Sequence, residues 1–237
     1  MSRLPILMYH NVSELNNESK GLTISTEKLE EQFQYLTKKG YASFHLSELE
    51  NKTSIPKKSI VITFDDVTEN QYLHALPLLQ KYNLKATFYI PFFYIGKTDL
   101  WNNGVEKIMT LQQIKDTDLD TIEFGFHSYM HGDYNALSDD EIKADFDACK
   151  KIIEENDLKV HSSVAYPYGS YPRKNPRNAH FKSQLEKNGI KYGLRIGNRP
   201  NSFPFKKNHE IQRIDIKGEE SLSKFIYKIN YNHIIKR

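Results

Sequence analysis

Two adjacent carboxylates, Asp65 and Asp66, follow directly after an apolar run over residues 59–64. The run is continuous rather than alternating, which predicts a strand that is buried on both faces. Neighbouring residues of a strand point to opposite faces, so we expect the two carboxylates to have different surroundings. In α/β folds, ligands bind at the carboxyl ends of the strands. Asp65 and Asp66 are therefore the first candidates for a functional site.

Two histidines, His127 and His131, lie four residues apart and follow a second predicted strand over residues 121–126. This spacing allows two imidazoles to reach one metal ion from a helical turn or a tight loop. Together with Asp66 they form a set of two histidines and one carboxylate, which leaves coordination positions open for water and substrate. Each pattern also occurs by chance or as a helix cap, but their combination at strand ends is much more specific.

Other predicted strands also end in polar residues. His10 follows a strand over residues 4–9, and the turn formed by Pro167, Tyr168 and Gly169 follows one over residues 163–166. Tyr168 and Gly169 alone would indicate only a turn. Further strands are predicted over residues 41–44, 85–90, 192–196 and 211–216.

Helical patterns separate these strands. Ser25 or Thr26 is a candidate cap for one helix, and Thr110 with Gln113 and Ser138 with Glu141 form candidate capping boxes. Helical segments are also expected before residue 82, before Gly189 and over residues 219–235. Strands alternating with helices predict an α/β fold with right-handed crossovers. We expect residues 1–237 to form a single-domain distorted (β/α)7-type barrel with parallel strands.

Composition excludes several classes of protein. The charge is nearly balanced, with 33 basic and 30 acidic residues and a net charge of +3, and no basic stretch predicts nucleic-acid binding. The single cysteine, Cys149, excludes a disulfide framework and lies on the apolar stripe of the helix capped by Ser138. No apolar run is long enough for a signal peptide or a membrane span, so we expect a soluble cytoplasmic protein. A chain whose leader had been removed would look the same.

Three motifs, in this order, resemble those of the polysaccharide deacetylases: TFDD at residues 63–66, HSxxH at 127–131 and YPYG at 166–169. These proteins are the metal-dependent carbohydrate esterases of family 4, which share the NodB homology domain. The resemblance extends from Ile6 to about Ile216. The opening residues 6–12 are similar to a subgroup that includes the poly-N-acetylglucosamine deacetylases. In that subgroup the histidine motif that usually closes the domain comes first.

The resemblance implies removal of N-acetyl groups from an amino sugar in a glycan or a glycan precursor. It implies a divalent metal, usually Zn²⁺ and in some members Co²⁺, Ni²⁺ or Mn²⁺, with three ligands: Asp66, His127 and His131. Asp65 matches the general base and His10 the general acid. Tyr168 matches the residue whose backbone N–H helps to hold the oxyanion. An N-acetylated glycan is thus the expected partner, and the oligomeric state is left open.

The sequence departs from the family pattern at several positions. Val67 replaces a glycine, which predicts a loop without the positive φ that glycine allows. Ala165 occupies the place of an arginine that orients the base, and Arg213 is a candidate substitute. The family's Asp–Trp motif is not evident, and Trp101 is either a wall of the site or an ordinary surface or core aromatic residue.

Two alternatives remain open from the sequence. The first keeps hydrolysis but changes the substrate to a non-sugar amide or an O-acetyl ester. The second is a carbohydrate-binding protein of the same fold without turnover, which Val67 and Ala165 favour. Retention of all the proposed metal ligands and of both proton-transfer residues argues against the second alternative.

Overall fold

The computed structural model describes residues 2–231. Its strands are β1 (Ser2–Leu4), β2 (Ile6–Tyr9), β3 (Asn11–Ser13), β4 (Thr23–Ser25), β5 (Ala42–Ser43), β6 (Ser59–Asp65), β7 (Ala86–Ile90), β8 (Ile122–Phe126), β9 (Val160–Ala165), β10 (Tyr192–Ile196), β11 (Asn201–Phe203) and β12 (Ile211–Asp215). Its α-helices are α1 (Thr26–Lys38), α2 (Leu76–Lys81), α3 (Leu111–Asp116), α4 (Asp139–Asn156), α5 (Arg177–Lys187) and α6 (Leu222–Tyr231).

Within residues 2–231, seven parallel strands form a closed barrel in the order β2, β12, β10, β9, β8, β7, β6. Pairing of β2 with β6, from Ile6 opposite Val61 to Tyr9 opposite Phe64, closes the ring. The short strand β5 extends the sheet from the start of β6, β3 pairs with β4, and β1 pairs antiparallel with β11. The predicted α/β barrel of seven parallel strands is confirmed.

Alternation along β6 determines which side chains enter the barrel. Ile60, Ile62 and Phe64 belong to the apolar layer that the helices cover. Val61 belongs to the smaller cluster inside the barrel, so Asp65, four residues further along the strand, is on the same inner face. All residues of β6 are buried. The strand thus delivers Asp65 inside the barrel at its carboxyl end.

The predicted helix starts are confirmed. The Oγ atom of Ser25 accepts a hydrogen bond from the N–H of Lys28 at the start of α1. Both capping boxes are present, one at α3 and one at α4. Cys149 is buried within the apolar core that includes Phe146. Among the described residues, no helix is both long enough and apolar enough to cross a membrane.

Several element boundaries differ from the prediction. The expected strand over residues 4–9 is divided into β1 and β2 at Pro5, which has no backbone N–H to donate. β9 begins at Val160, three residues before the predicted start. The predicted tail helix over residues 219–235 corresponds to α6, and residues 232–235 lie outside the described residues. Before α2, residues Gln71–Ala75 form a π-helical turn, and Pro77 lies within the first turn of α2.

Candidate active site

One cavity at the carboxyl ends of the barrel strands, with a volume of about 210 Å³, brings together the predicted site residues. It is lined by all six: His10, Asp65, Asp66, His127, His131 and Tyr168. His10 follows β2, Asp65 ends β6, and His127 follows β8. The predicted convergence of strand ends is therefore present, although the residues come from distant parts of the chain.

Asp66, His127 and His131 form the group that could hold a metal ion. The Oδ1 atom of Asp66 lies 3.4 Å from Nε2 of His127 and 3.4 Å from Nε2 of His131. The candidate ligand atoms all lie within 4.8 Å of one another. Oδ1 of Asp66 is buried and forms no hydrogen bond with any residue between 2 and 231. An unsatisfied carboxylate oxygen between two imidazole nitrogens fits a divalent cation.

The orientation of His127 is fixed by the backbone. Its Nδ1 atom lies 2.8 Å from the carbonyl oxygen of Ala165 at the end of β9. Since a carbonyl only accepts hydrogen bonds, Nδ1–H is the donor and Nε2 keeps its lone pair toward Asp66. The position at which the family has an arginine thus contributes its carbonyl group to the orientation of a candidate metal ligand.

Electrostatics prepare the same three side chains for a cation. Burial opposes the charge on Asp66, but the imidazoles of His127 and His131 hold the pKa of this carboxyl far below its ordinary value. Burial lowers the pKa of His131. Burial also disfavours the charged form of His127, yet the carboxylates of Asp65 and Asp66 raise its pKa overall. Asp66 is therefore ionised at neutral pH, as a metal ligand must be.

Aromatic rings enclose His131 on two sides. The indole of Trp101 stacks on the imidazole with ring centroids 4.5 Å apart and an angle of 16° between the planes. The ring of Tyr168 meets the imidazole edge to face at 4.7 Å. Asp99 orders the turn that carries Trp101, because its side chain accepts hydrogen bonds from Asn102 and from the N–H of Glu106. Of the two interpretations of Trp101, the wall of the site is the correct one.

The loop that carries the two histidines is held by Asp145 of α4, a residue that sequence reasoning missed. Asp145 accepts hydrogen bonds from the Ser128 hydroxyl and the Tyr129 N–H, both at 2.8 Å, and from the Tyr134 hydroxyl at 3.0 Å. Ser128 in turn accepts a bond from the N–H of residue 132 at 2.8 Å. A signal was available, because Asp145 lies three residues after Ile142 and so lies near the apolar stripe of the helix.

Arg213 on β12 forms a two-fold hydrogen-bonded ion pair with Asp65 inside the barrel. Its Nη1 and Nη2 atoms lie 2.5 and 2.7 Å from the two carboxylate oxygens. Both side chains are buried. Burial alone would raise the pKa of Asp65, but the Arg213 guanidinium and nearby His127 lower it below its ordinary value. Asp65 is thus kept ionised by Arg213, although it is not one of the three candidate metal ligands.

His10 lies on the open side of Asp65. Its Nε2 atom is 3.7 Å from Oδ2 of Asp65, and its side chain is 13% exposed. The side chain of Gln71 joins the two residues, since its amide donates to the backbone carbonyls of His10 and Asp65 at 3.1 and 2.5 Å. The side chain of Gln71 therefore fixes the end of β2 relative to the end of β6.

The loop after Asp66 differs from the prediction. Val67 was expected to exclude a positive φ, yet Asp66 and Val67 have φ values of 77° and 42°. That prediction is wrong. The left-handed conformation of a buried β-branched residue is strained, and its apolar side chain packs in the core, which offsets the strain. Tyr168 is also left-handed, with φ 59° and ψ 7°.

Comparison with known proteins identifies the family to which the chain belongs. The family model for polysaccharide deacetylase matches residues 52–192, which is more than half of the chain. The chain belongs to the polysaccharide deacetylase family.

Two curated relatives illustrate its position in that family. The chain is 26% identical over 259 residues to the poly-beta-1,6-N-acetyl-D-glucosamine N-deacetylase of Staphylococcus aureus (strain MRSA252), covering 98% of this chain and 81% of the relative. It is 28% identical over 197 residues to YxkH of Bacillus subtilis (strain 168), a protein named after the polysaccharide deacetylases. That match covers 81% of this chain and spans 64% of the length of YxkH.

Solved structures share the fold. The Streptococcus pyogenes deacetylase PplD, in complex with acetate, has a TM-score of 0.78 at 23% identity, covering 96% of this chain and 98% of PplD. A de-N-acetylase from Aggregatibacter actinomycetemcomitans has a TM-score of 0.77 at 18% identity, with coverages of 96% and 100%. At these sequence identities, the structural similarity shows that the fold is shared.

Proposed function

We propose that this chain is a metal-dependent hydrolase that removes N-acetyl groups from an amino sugar in a polysaccharide, oligosaccharide or glycan precursor. The observation that carries the proposal is the placement of Asp65 beside the candidate metal ligands, with Oδ2 lying 4.0 Å from Nε2 of His127 and 3.7 Å from Nε2 of His10. Family membership supports sugar deacetylation. The name of the S. aureus relative supports a substrate containing N-acetylglucosamine.

The proposed ligands of the metal are Asp66, His127 and His131. Two imidazole nitrogens and a carboxylate oxygen suit Zn²⁺ best, and Co²⁺, Ni²⁺ or Mn²⁺ also accept such a set. A divalent cation supplies Lewis acidity, which polarises a carbonyl and lowers the pKa of water to roughly 7. The hydrogen bond from Nδ1 of His127 to the Ala165 carbonyl fixes the orientation of one proposed ligand. The hydrogen bonds to Asp145 fix the loop that carries His131.

Asp65 is the proposed general base. Arg213 holds it ionised and fixes its orientation, so that Oδ2 faces the cavity between His10 and His127. From this position it removes a proton from the water that attacks the amide carbonyl carbon. The charge that then develops on the carbonyl oxygen needs a fixed donor, and the backbone N–H of Tyr168 is the proposed one.

His10 is the proposed general acid. When the C–N bond of the tetrahedral intermediate breaks, the amine nitrogen needs a proton, and the imidazolium of His10 donates it. Nε2 of His10 lies 3.7 Å from Oδ2 of Asp65, so the proposed acid and the proposed base face the same part of the cavity. Residues on or shortly after β2, β6, β8, β9, β10 and β12 line one cavity, so we propose that residues 1–237 form one catalytic domain. A cytoplasmic location stays a prediction.

The test is metal-dependent release of acetate from N-acetylglucosamine oligosaccharides by the zinc-loaded chain. We expect acetate and free amine in equal amounts, and loss of both in Asp66→Ala and His127→Ala. His180→Ala is a matched control, because His180 is exposed and lies outside the cavity. Release from O-acetyl esters or small amides alone would favour the alternative substrates. Absence of acetate from every substrate, with metal bound, would favour a binding protein without turnover.

A further inference from the structure

The cavity that Asp65, Asp66 and His131 line is called the reaction cavity below. A second depression opens beside it, at the start of α5. Its volume is about 540 Å³, and it shares Tyr168 and Gly169 with the reaction cavity. Three cations contribute to its lining: Arg173, Lys174 and Arg177. We infer that this cationic depression binds an anionic group of the glycan, a phosphate or a carboxylate, beside the sugar that is deacetylated. The inference rests on the proposed function and adds a charge requirement to the substrate.

The positive charges of the depression are not neutralised. None of the three cations forms an ion pair with a carboxylate of residues 2–231, and no carboxylate of that range lines the depression. Arg177 donates through Nη1 to the carbonyl of Asn135 at 2.9 Å and through Nη2 to that of Leu137 at 3.0 Å. Carbonyls carry no net charge, so the guanidinium is held in place with its full charge. Three of its five N–H donors have no acceptor among residues 2–231.

Arg173 is also oriented before any ligand arrives. Its guanidinium carbon lies 5.4 Å from the centre of the Tyr171 ring. Its Nη2 atom also lies 3.5 Å from the carbonyl oxygen of Gly169. A guanidinium can bind phosphate or carboxylate through two hydrogen bonds. Lys174, next in sequence, is exposed and has no side-chain hydrogen bond to a described residue. Preorganisation lowers the entropic cost of binding an anion here.

Much of this concentration of charge is already local in the sequence. No acidic residue occurs between Asp157 and Glu186, whereas that segment contains the cations Lys159, Arg173, Lys174, Arg177 and Lys182. Three of them fall within the five residues 173–177. The turn before α5 brings three of them to one depression next to Tyr168.

The neighbouring reaction cavity has the opposite character. Four carboxylates contribute to its lining: Asp65, Asp66, Asp99 and Asp215. Its cations Arg213 and Lys217 are paired, the latter with Asp215 at 2.9 Å. Their charges are thus balanced by carboxylates of the same cavity. An anionic substituent of the glycan is therefore directed to the cationic depression, which fixes the direction in which the glycan crosses Tyr168.

The test compares three substrates of the zinc-loaded full chain: a neutral N-acetylglucosamine tetrasaccharide, the same tetrasaccharide carrying one 6-phosphate, and one carrying a 6-carboxylate. We expect kcat/KM to be about tenfold higher for at least one anionic substrate, mainly through a lower KM. This advantage should shrink as salt is added, because the depression is exposed. The substrate whose kcat/KM is raised shows whether the depression binds phosphate or carboxylate.

In the double variant Arg173→Gln/Lys174→Gln the ratio of anionic to neutral kcat/KM should fall to about one. The matched control Lys115→Gln/Lys187→Gln removes two exposed lysines outside both cavities and should keep the wild-type ratio. If the first double variant misfolds, the wild-type ratio and its salt dependence decide. Equal kcat/KM on all three substrates would overturn the anion site and leave the proposed function intact. Absence of acetate from all three would instead reject the proposed function.

Discussion

Arg213 on β12 holds both carboxylate oxygens of Asp65 on β6, at 2.5 and 2.7 Å, although the two residues are 148 positions apart in the sequence. In the family pattern an arginine at the position of Ala165, on β9, orients the base. Here the guanidinium comes from a different strand and reaches the same carboxylate through the inside of the barrel. The proposed base thus keeps an arginine partner, although this arginine comes from a different strand.

Replacement of Arg213 by methionine should therefore reduce deacetylation strongly. Asp65 would be left as a buried charge without its partner, which costs about 3–5 kcal/mol of folding stability. Burial would then raise the pKa of Asp65, and a base must be ionised to accept a proton. When kcat/KM is measured as a function of pH, the acidic limb of the profile should move to higher pH. Arg213→Lys keeps the charge without the two-pronged geometry and should shift the limb less. An unshifted limb in Arg213→Met would contradict the role of the pair.

The His10 assignment predicts a difference between substrates. His10→Gln should lower kcat on N-acetylglucosamine oligosaccharides by roughly 10²–10⁴-fold, because the amine leaves only with a proton. Hydrolysis of p-nitrophenyl acetate should fall much less, since its phenolate leaves without one. Zinc content measured by elemental analysis should stay at the wild-type level. Equal losses on both substrates would show that His10 does not act as the acid.

The sequence predicted the barrel and the convergence of six residues on one cavity because strand ends give local signals, whereas the roles of those residues rest on the family resemblance. An apolar run that stops at a polar residue marks the end of a buried strand, and parallel strands bring such ends together. Asp145 was missed because its spacing from Ile142 places it near the apolar stripe but does not show which hydroxyl and N–H groups it meets in the folded chain. The left-handed Val67 was also missed, since its strain is offset only by tertiary packing.

Asp145 should influence metal binding although it lies outside the set of ligands. In Asp145→Ala, Ser128 and the Tyr129 N–H lose their acceptor, so the loop before His131 becomes less well fixed. We expect zinc affinity, measured by calorimetric titration of the metal-free protein, to fall roughly 10–100-fold. Asp147→Ala on the same helix is the matched control, because Asp147 is exposed and pairs only with Lys143 among the described residues. Equal affinities in the two variants would rule out a positioning role for Asp145.

We propose that Asp66, His127 and His131 bind one catalytic divalent cation. The most direct measurement is the anomalous difference density at the zinc absorption edge from crystals of zinc-loaded protein. We expect one strong peak at ~2.0–2.2 Å from Oδ1 of Asp66 and from Nε2 of both histidines, and loss of this peak in Asp66→Ala. This is the metal site that the proposed function requires. A zinc-loaded crystal with no peak among these three atoms, or with a peak that persists unchanged in Asp66→Ala, would contradict it.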